Sequence, residues 1–135
     1  MARTRLSDAE WRVMNVVWRH ERVTARRVVD ELPRGTDWAY TTVKTMMDRL
    51  AQKGVLAANR EGVQTEYEPL LSRRQAQIAA ARGLVQKAFD GATSPLVHFL
   101  LEEEKLSDAE RAELVRRLQN PSERKPAKGK KGASR

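Results

Sequence analysis

Apolar residues recur along this chain every three or four positions, in short segments, with one interruption near the middle where the period shortens towards two. Leu6-Ser7-Asp8-Ala9-Glu10 opens the first segment. Ser7 and Glu10 have the spacing of a capping box, in which the serine hydroxyl accepts from the Glu10 amide and Glu10 reaches back, while Leu6 staples onto the helix. The helix is expected over about residues 8–19, burying Trp11, Met14, Val17 and Trp18. A second starts at Thr24, with Val28, Val29 and Leu32 as its apolar face, and is broken by Pro33 and Gly35. The third spans Ala39 to Lys53 and stops at Gly54. Within it Tyr40, Val43, Met46, Met47 and Leu50 fall inside about 120° of the circumference, because the helical period is about 3.6 residues. The opposite face carries Thr41, Thr45, Asp48 and Gln52, flanked by Thr42, Lys44 and Arg49. Then the period changes. Val55–Ala58 reads as a short strand, Asn59-Arg60-Glu61-Gly62 as a turn, and Val63–Pro69 as a returning strand.

The remainder is helical again. Ser72-Arg73-Arg74-Gln75 is a second capping box, opening a helix to about Phe89 with Gly91 as its C-cap. Pro95 suits the first turn of a helix over residues 95–104. Ser107-Asp108-Ala109-Glu110 repeats the tetrapeptide at Ser7 and starts a last helix ending near Leu118. These three helices carry Leu84, Phe89, Leu96, Val97, Leu100, Leu101, Leu114 and Leu118, more apolar surface than three short helices cover alone. Association with a second copy is the economical answer, and a two-fold dimer its commonest form.

The fold class read from this pattern is mainly α with a small β-hairpin. A winged helix-turn-helix is expected over residues 1–71, a three-helix dimerisation domain over 72–118, and a disordered basic tail over 119–135, rich in Lys, Pro, Gly and Ser.

Charge adds less than its total promises. The 135 residues carry a net charge of +8, but residues 119–135 contribute +5 of it, residues 1–71 only +2 and residues 72–118 only +1. Basicity is therefore weak evidence that the folded part binds a polyanion. There is no cysteine, which excludes disulfides, thiolate metal sites and cysteine catalysis. No apolar run approaches membrane-spanning length and MARTRLSDAEW has no signal-peptide core, so a soluble, cytoplasmic protein is expected. No nucleophile–base pair, glycine-rich phosphate loop or zinc-protease motif is present, so neither an enzyme nor a cofactor is expected. His20 reads as solvent-facing after the first helix. His98 reads as a packed residue, with no second histidine at metal-site spacing.

The candidate chemistry therefore sits on the third helix. Short hydroxyls and a few long cations in the first turns of a helix suit base edges and nearby phosphates. Thr41, Lys44 and Thr45 are the candidates for base edges, lysine through guanine O6/N7 and threonine through hydroxyl or thymine-methyl contact. Thr42 and Arg49 would hold phosphates, which position a helix without specifying sequence. Asp48 either accepts from cytosine N4 or pairs with Lys44 one turn away. Arg60, with Gln64 and Thr65, lies where a wing approaches DNA, and Arg3 and Arg5 would reach a backbone from the N-terminal arm.

Three blocks of sequence resemble the BlaI/MecI family, repressors that control β-lactamase and methicillin-resistance genes. They are LSDAEWRVMNVVW (Leu6–Trp18), AYTTVKTMMDRLAQKGVL (Ala39–Leu56) and SPLVHFLLEEEKLSDAE (Ser94–Glu110), in the same order and spacing. The resemblance covers about residues 5–118. It implies a cytoplasmic dimeric repressor that binds dyad-symmetric operator DNA through an N-terminal winged helix and dimerises through C-terminal helices. It also implies release by a membrane-sensor-linked protease, through cleavage inside the dimerisation domain. The matching bond here is His98–Phe99, within LVHF. The best-known members have asparagine before the phenylalanine, so His98 is a departure. A copper-responsive branch ends in a cysteine-rich metal site, which this cysteine-free chain lacks.

Two other readings stay open at this level. One is a winged-helix regulator released by a small ligand, marked by ligand-dependent operator affinity without proteolysis. The other is a protein-binding helical adaptor with a degenerate winged helix, which saturable sequence-specific DNA binding in moderate salt would remove.

Overall fold

The computed structural model describes residues 5–120, in the order α1 (Asp8–Val17), β1 (Val23–Thr24), α2 (Ala25–Glu31), α3 (Tyr40–Gln52), β2 (Leu56–Asn59), β3 (Glu66–Pro69), α4 (Arg73–Ala88), α5 (Thr93–Glu103) and α6 (Asp108–Gln119). Arg3 and residues 121–135, the greater part of the basic tail, lie outside the described residues. Within them the chain divides into two compact units, the first ending at Asp90 and the second starting at Gly91.

Three serines start three helices. Ser7, Ser72 and Ser107 each accept from the amide three residues on, while Glu10, Gln75 and Glu110 reach back to the cap amide. Two amides that an uncapped helix end leaves without partners are satisfied each time. Glu10 also receives Lys53 Nζ at 3.0 Å, which ties the start of α1 to the end of α3. We expect Ser7→Ala to destabilise the first unit by about 1 kcal/mol. A lower urea midpoint at unchanged slope would report it.

The core of the first unit lies where α1, α2, α3 and the sheet converge. Val13, Met14, Val16 and Val17 come from α1, Val28 from α2, and Val43, Met47 and Leu50 from α3. Val55, Leu56 and Tyr67 close it from the strand side, and all eleven are essentially inaccessible. Each such side chain contributes roughly 1.5–3 kcal/mol by leaving water. The tryptophans expected in this core are at its edge. Trp11 and Trp18 are only partly buried and pack against each other edge to face, centroids 5.8 Å apart. An indole needs a partner for its N–H, and Trp18 finds one at the rim by donating to the Leu71 carbonyl at 2.9 Å. Tyr67 is the largest fully buried side chain.

The sheet is antiparallel in the order β1-β3-β2. Sequence reading misses β1, because two residues are too few to show alternation. It also starts the returning strand too early: Val63 lies in the hairpin loop, fully exposed, and β3 begins at Glu66. Between α3 and β2 the chain turns tightly. Gly54 takes φ 84°, its amide bonds to the Ala51 carbonyl, and Val55 bonds back to Leu50 at 2.9 Å. This is the Schellman arrangement, which needs a residue at ease with positive φ. It delivers the buried Val55 directly from helix into core.

α4 begins inside the same core, with Ala76 fully buried and Arg73 held over the Trp18 ring at 5.2 Å. In the second unit neither α5 nor α6 buries a single residue, and Val97, Phe99, Leu100, Leu101, Leu114 and Leu118 are exposed. Pro95 falls in the first turn of α5, where a missing N–H costs nothing.

Candidate nucleic-acid interface

α3 turns two opposite faces to two environments. Val43, Met47 and Leu50 fix one against the core, whereas Thr41, Thr42, Thr45 and Arg49 are exposed on the other. Tyr40 and Met46, which the periodicity assigns to the apolar side, sit at its margin, and Tyr40 is 38% exposed. Ala39 at the N-cap offers no side-chain acceptor and the first turn holds no acid. The first amides of α3 are thus left without an intrahelical acceptor, which favours an anion there.

Lys44 is less free than its neighbours. Its Nζ lies 2.9 Å and 3.2 Å from the two carboxylate oxygens of Asp48. Asp48 is the centre of a wider network. The Tyr67 hydroxyl donates to its Oδ1 at 2.6 Å, and Arg60 Nη2 approaches the same oxygen at 3.3 Å. One carboxylate therefore joins the exposed face of α3 to β3 and to the start of the hairpin loop. Burial alone would raise the Asp48 pKa, but the Tyr67 and Lys44 donors outweigh it and hold the carboxyl below its ordinary range. The Tyr67 hydroxyl and the Asp48 carboxylate push the Lys44 ammonium up. Burial and the Asp48 carboxylate push the Tyr67 hydroxyl up. At neutral pH the network is a carboxylate, an ammonium, a guanidinium and a neutral phenol. Of the two readings open for Asp48, the geometry has the intramolecular pair, extended to two partners that sequence spacing did not announce.

The other expected positions are spread around this face. Arg60 is exposed at the foot of the hairpin loop, where the Glu61 amide bonds to the Asn59 side chain. Arg5 is exposed on the arm before α1. A groove runs between the start of α2, the first turns of α3 and the hairpin, lined by Thr24, Arg26, Tyr40, Lys44, Gln64 and Thr65. Arg26 and Tyr40 were not expected at any interface; the Arg26 guanidinium lies 4.9 Å from the centre of the Tyr40 ring. Their positions, fourteen apart and on different helices, give no sequence signal.

The histidines differ from expectation. His20 is half-buried and its Nε2 sits 2.9 Å from Glu31 Oε1. Bonds from Arg27 and His20 lower the Glu31 pKa to about 2, so an acid on α2 recruits the histidine that a reading of α1 alone sends to solvent. His98 is exposed on α5 rather than packed, beside an exposed Phe99. Among the described residues no cluster of histidine or carboxylate groups could hold a metal ion, and no helix is long and apolar enough to cross a membrane.

Three helices around a small sheet, with the third presenting hydroxyls and cations beside a hairpin, define a winged helix-turn-helix protein followed by further helices. The family described as Penicillinase repressor matches residues 6–120. The chain belongs to that family, the BlaI/MecI repressors, whose members are DNA-binding regulators of transcription and not enzymes. The penicillinase repressor of Bacillus licheniformis is 31% identical over 120 residues, spanning 89% of this chain and 94% of that protein. The methicillin resistance regulatory protein MecI of Staphylococcus aureus is 28% identical over 109 residues, 81% of this chain and 89% of that one. The solution structure of the DNA binding domain of the repressor BlaI is 36% identical, with a TM-score of 0.46, over 52% of this chain and 85% of that one.

Proposed function

We propose that the chain is a cytoplasmic homodimeric repressor that occupies a dyad-symmetric operator, each protomer placing α3 in one major groove. The exposed polar face of α3, seated on fully buried Val43, Met47 and Leu50, is the observation that carries this reading. Thr41 and Thr45 read base edges. Lys44 joins them with the N–H donors its pairing to Asp48 leaves over, since an ammonium has three. Thr42, Arg49, Arg60 and Arg5 hold phosphates, which fix register but not sequence. The half-sites lie one DNA turn or a small multiple apart. Dimerisation is supported by α5 and α6, which leave apolar side chains from Val97 to Leu118 in water within one protomer. Leu84 on α4 is exposed as well, and Phe89 and Leu96 are half-buried. Release by cleavage at His98–Phe99, by a membrane-sensor-linked protease, is supported by the exposure of both residues on a helix that buries nothing.

Footprinting on DNA upstream of the chain's own gene tests the assignment. A protected dyad is expected with the native protein, and Lys44→Ala and Thr45→Ala should each weaken it by about tenfold, the scale of one good base contact. Protection that survives both substitutions unchanged would refute these roles.

A further inference from the structure

We propose that Arg26 and Tyr40 form a seat for one phosphodiester of the DNA backbone, in the groove between α2, the start of α3 and the hairpin. This rests on the reading of α3 as the recognition helix and adds a contact outside its hydroxyl face. Arg26 is free to take an anion where its neighbours are engaged. Among the charged side chains nearby, Arg27 is held by Glu31 at 2.9 Å, and Lys44 and Arg60 are both held by Asp48. Arg26 makes no ion pair among the described residues and instead lies over the Tyr40 ring at 4.9 Å. A guanidinium held in this way keeps its N–H donors for an anion and has already lost part of its rotamer freedom. Arginine is the side chain best matched to phosphate oxygens, by charge and by its planar fork of donors.

The groove itself suits an anion. Its eight lining residues, Ala25 and Val63 with the six polar ones, include two cations, two threonines, a phenol and an amide, but no carboxylate. The neighbouring hollow on the hairpin is lined by Asn59, Glu61, Gln64 and Glu66, and its two carboxylates repel phosphate. A DNA strand passing between α3 and the wing is therefore steered to the Arg26 side. Tyr40 is the first residue of α3, directly before Thr41, so the seat holds the backbone beside the base pair that the first turn faces.

The test uses the full-length protein and two duplexes of equal length, one enriched from random sequence by the native protein and one random. Binding to each is measured across a salt series, with thermal melting of every variant as the control for folding. Arg26→Gln should weaken binding to both duplexes by about tenfold. It should also flatten the slope of log K against log salt by about 0.9 for each protomer bound, with the ratio between the duplexes preserved. Tyr40→Leu, which removes the ring under Arg26, should lose more affinity than Tyr40→Phe, which retains it. An unchanged slope in Arg26→Gln overturns the seat, as does a collapsed ratio at constant slope, which would make Arg26 a base reader. Inorganic phosphate at fixed ionic strength should displace DNA more readily from the native protein than from Arg26→Gln, because it competes for the same seat; displacement that does not depend on Arg26 overturns the proposal. Failure of the native protein to enrich any sequence would instead remove the repressor reading, while the slope on random duplex would still decide the seat.

Discussion

Removing everything from Gly91 onward should leave a folded monomer whose operator affinity is lower by about 10²–10⁴-fold. In the proposed dimer the size follows from effective concentration: with one recognition helix docked, the second would bind as an intramolecular partner, and losing that link would remove avidity without altering a base contact. The cut belongs after Asp90 because the core runs into α4. Ala76 is fully buried, the Leu71 carbonyl accepts from Trp18, and Arg73 lies over the Trp18 ring. Cutting after Leu71 would remove Arg73 and Ala76 and leave the Trp18 acceptor at a free chain end, confusing lost dimerisation with lost folding. Sedimentation should give a dimer for the full chain and a monomer for the truncated one. The truncated protein should keep its ranking of operator variants and roughly half the salt slope, since half the phosphates are contacted. A truncated protein that binds operator as tightly as the native chain would remove dimerisation from the mechanism.

Asp48→Ala should lower stability and blur sequence discrimination together. The substitution leaves the Tyr67 hydroxyl, on a side chain with no exposed surface, without its 2.6 Å acceptor. An unsatisfied buried polar group costs about 1–3 kcal/mol, and each kcal/mol lowers Tm by about 4–8 °C in a domain of this size. At the same time Lys44 and Arg60 lose their carboxylate, so attraction to any duplex should grow several-fold while preference for operator falls. Asp48→Asn separates the two effects, because an amide oxygen still accepts from Tyr67 but carries no charge. The pH dependence has a defined sign. The native carboxyl titrates below its ordinary 3.8, so its contribution is complete above the carboxylate range and is lost as the pH falls through the native pKa. Lys44, raised above 10.5, loses its share only when the pH climbs through the lysine range. Below about pH 4 the native protein should therefore lose stability more steeply than Asp48→Asn, measured as urea midpoint against pH. Parallel curves, with unchanged discrimination in Asp48→Ala, would show that the network is incidental to both.

Most of the fold is legible in local sequence grammar. Capping boxes at Ser7, Ser72 and Ser107, the break at Pro33 and Gly35, and the glycine stop at Gly54 are encoded within a few residues of where they act. The helical period of α3 is equally readable, and Val43, Met47 and Leu50 are buried on the expected side. What escaped depends on residues far apart in sequence. Asp48 and Tyr67 meet across nineteen positions, and no period marks a phenol on a strand as the partner of a carboxylate on a helix. His20 turns inward because Glu31 waits eleven residues on. The tryptophans were overestimated as core because size and spacing say nothing about where an indole N–H will find an acceptor. The candidate interface divides the same way: its exposed hydroxyls follow from periodicity, whereas the engagement of Lys44 and the stacking of Arg26 on Tyr40 are tertiary facts.

The placement of Trp18 has a consequence for observing this protein at work. All three tryptophans, Trp11, Trp18 and Trp38, precede Asp90, and α4, α5 and α6 contain none. Intrinsic tryptophan fluorescence thus arises wholly before α4, and one of its three emitters sits at a junction, where the Trp18 indole N–H meets the Leu71 carbonyl and the Arg73 guanidinium covers its ring. The chain carries a built-in optical label at the point where the core around α1 meets α4, and strain at this joint should change the colour or yield of that emission without an added dye.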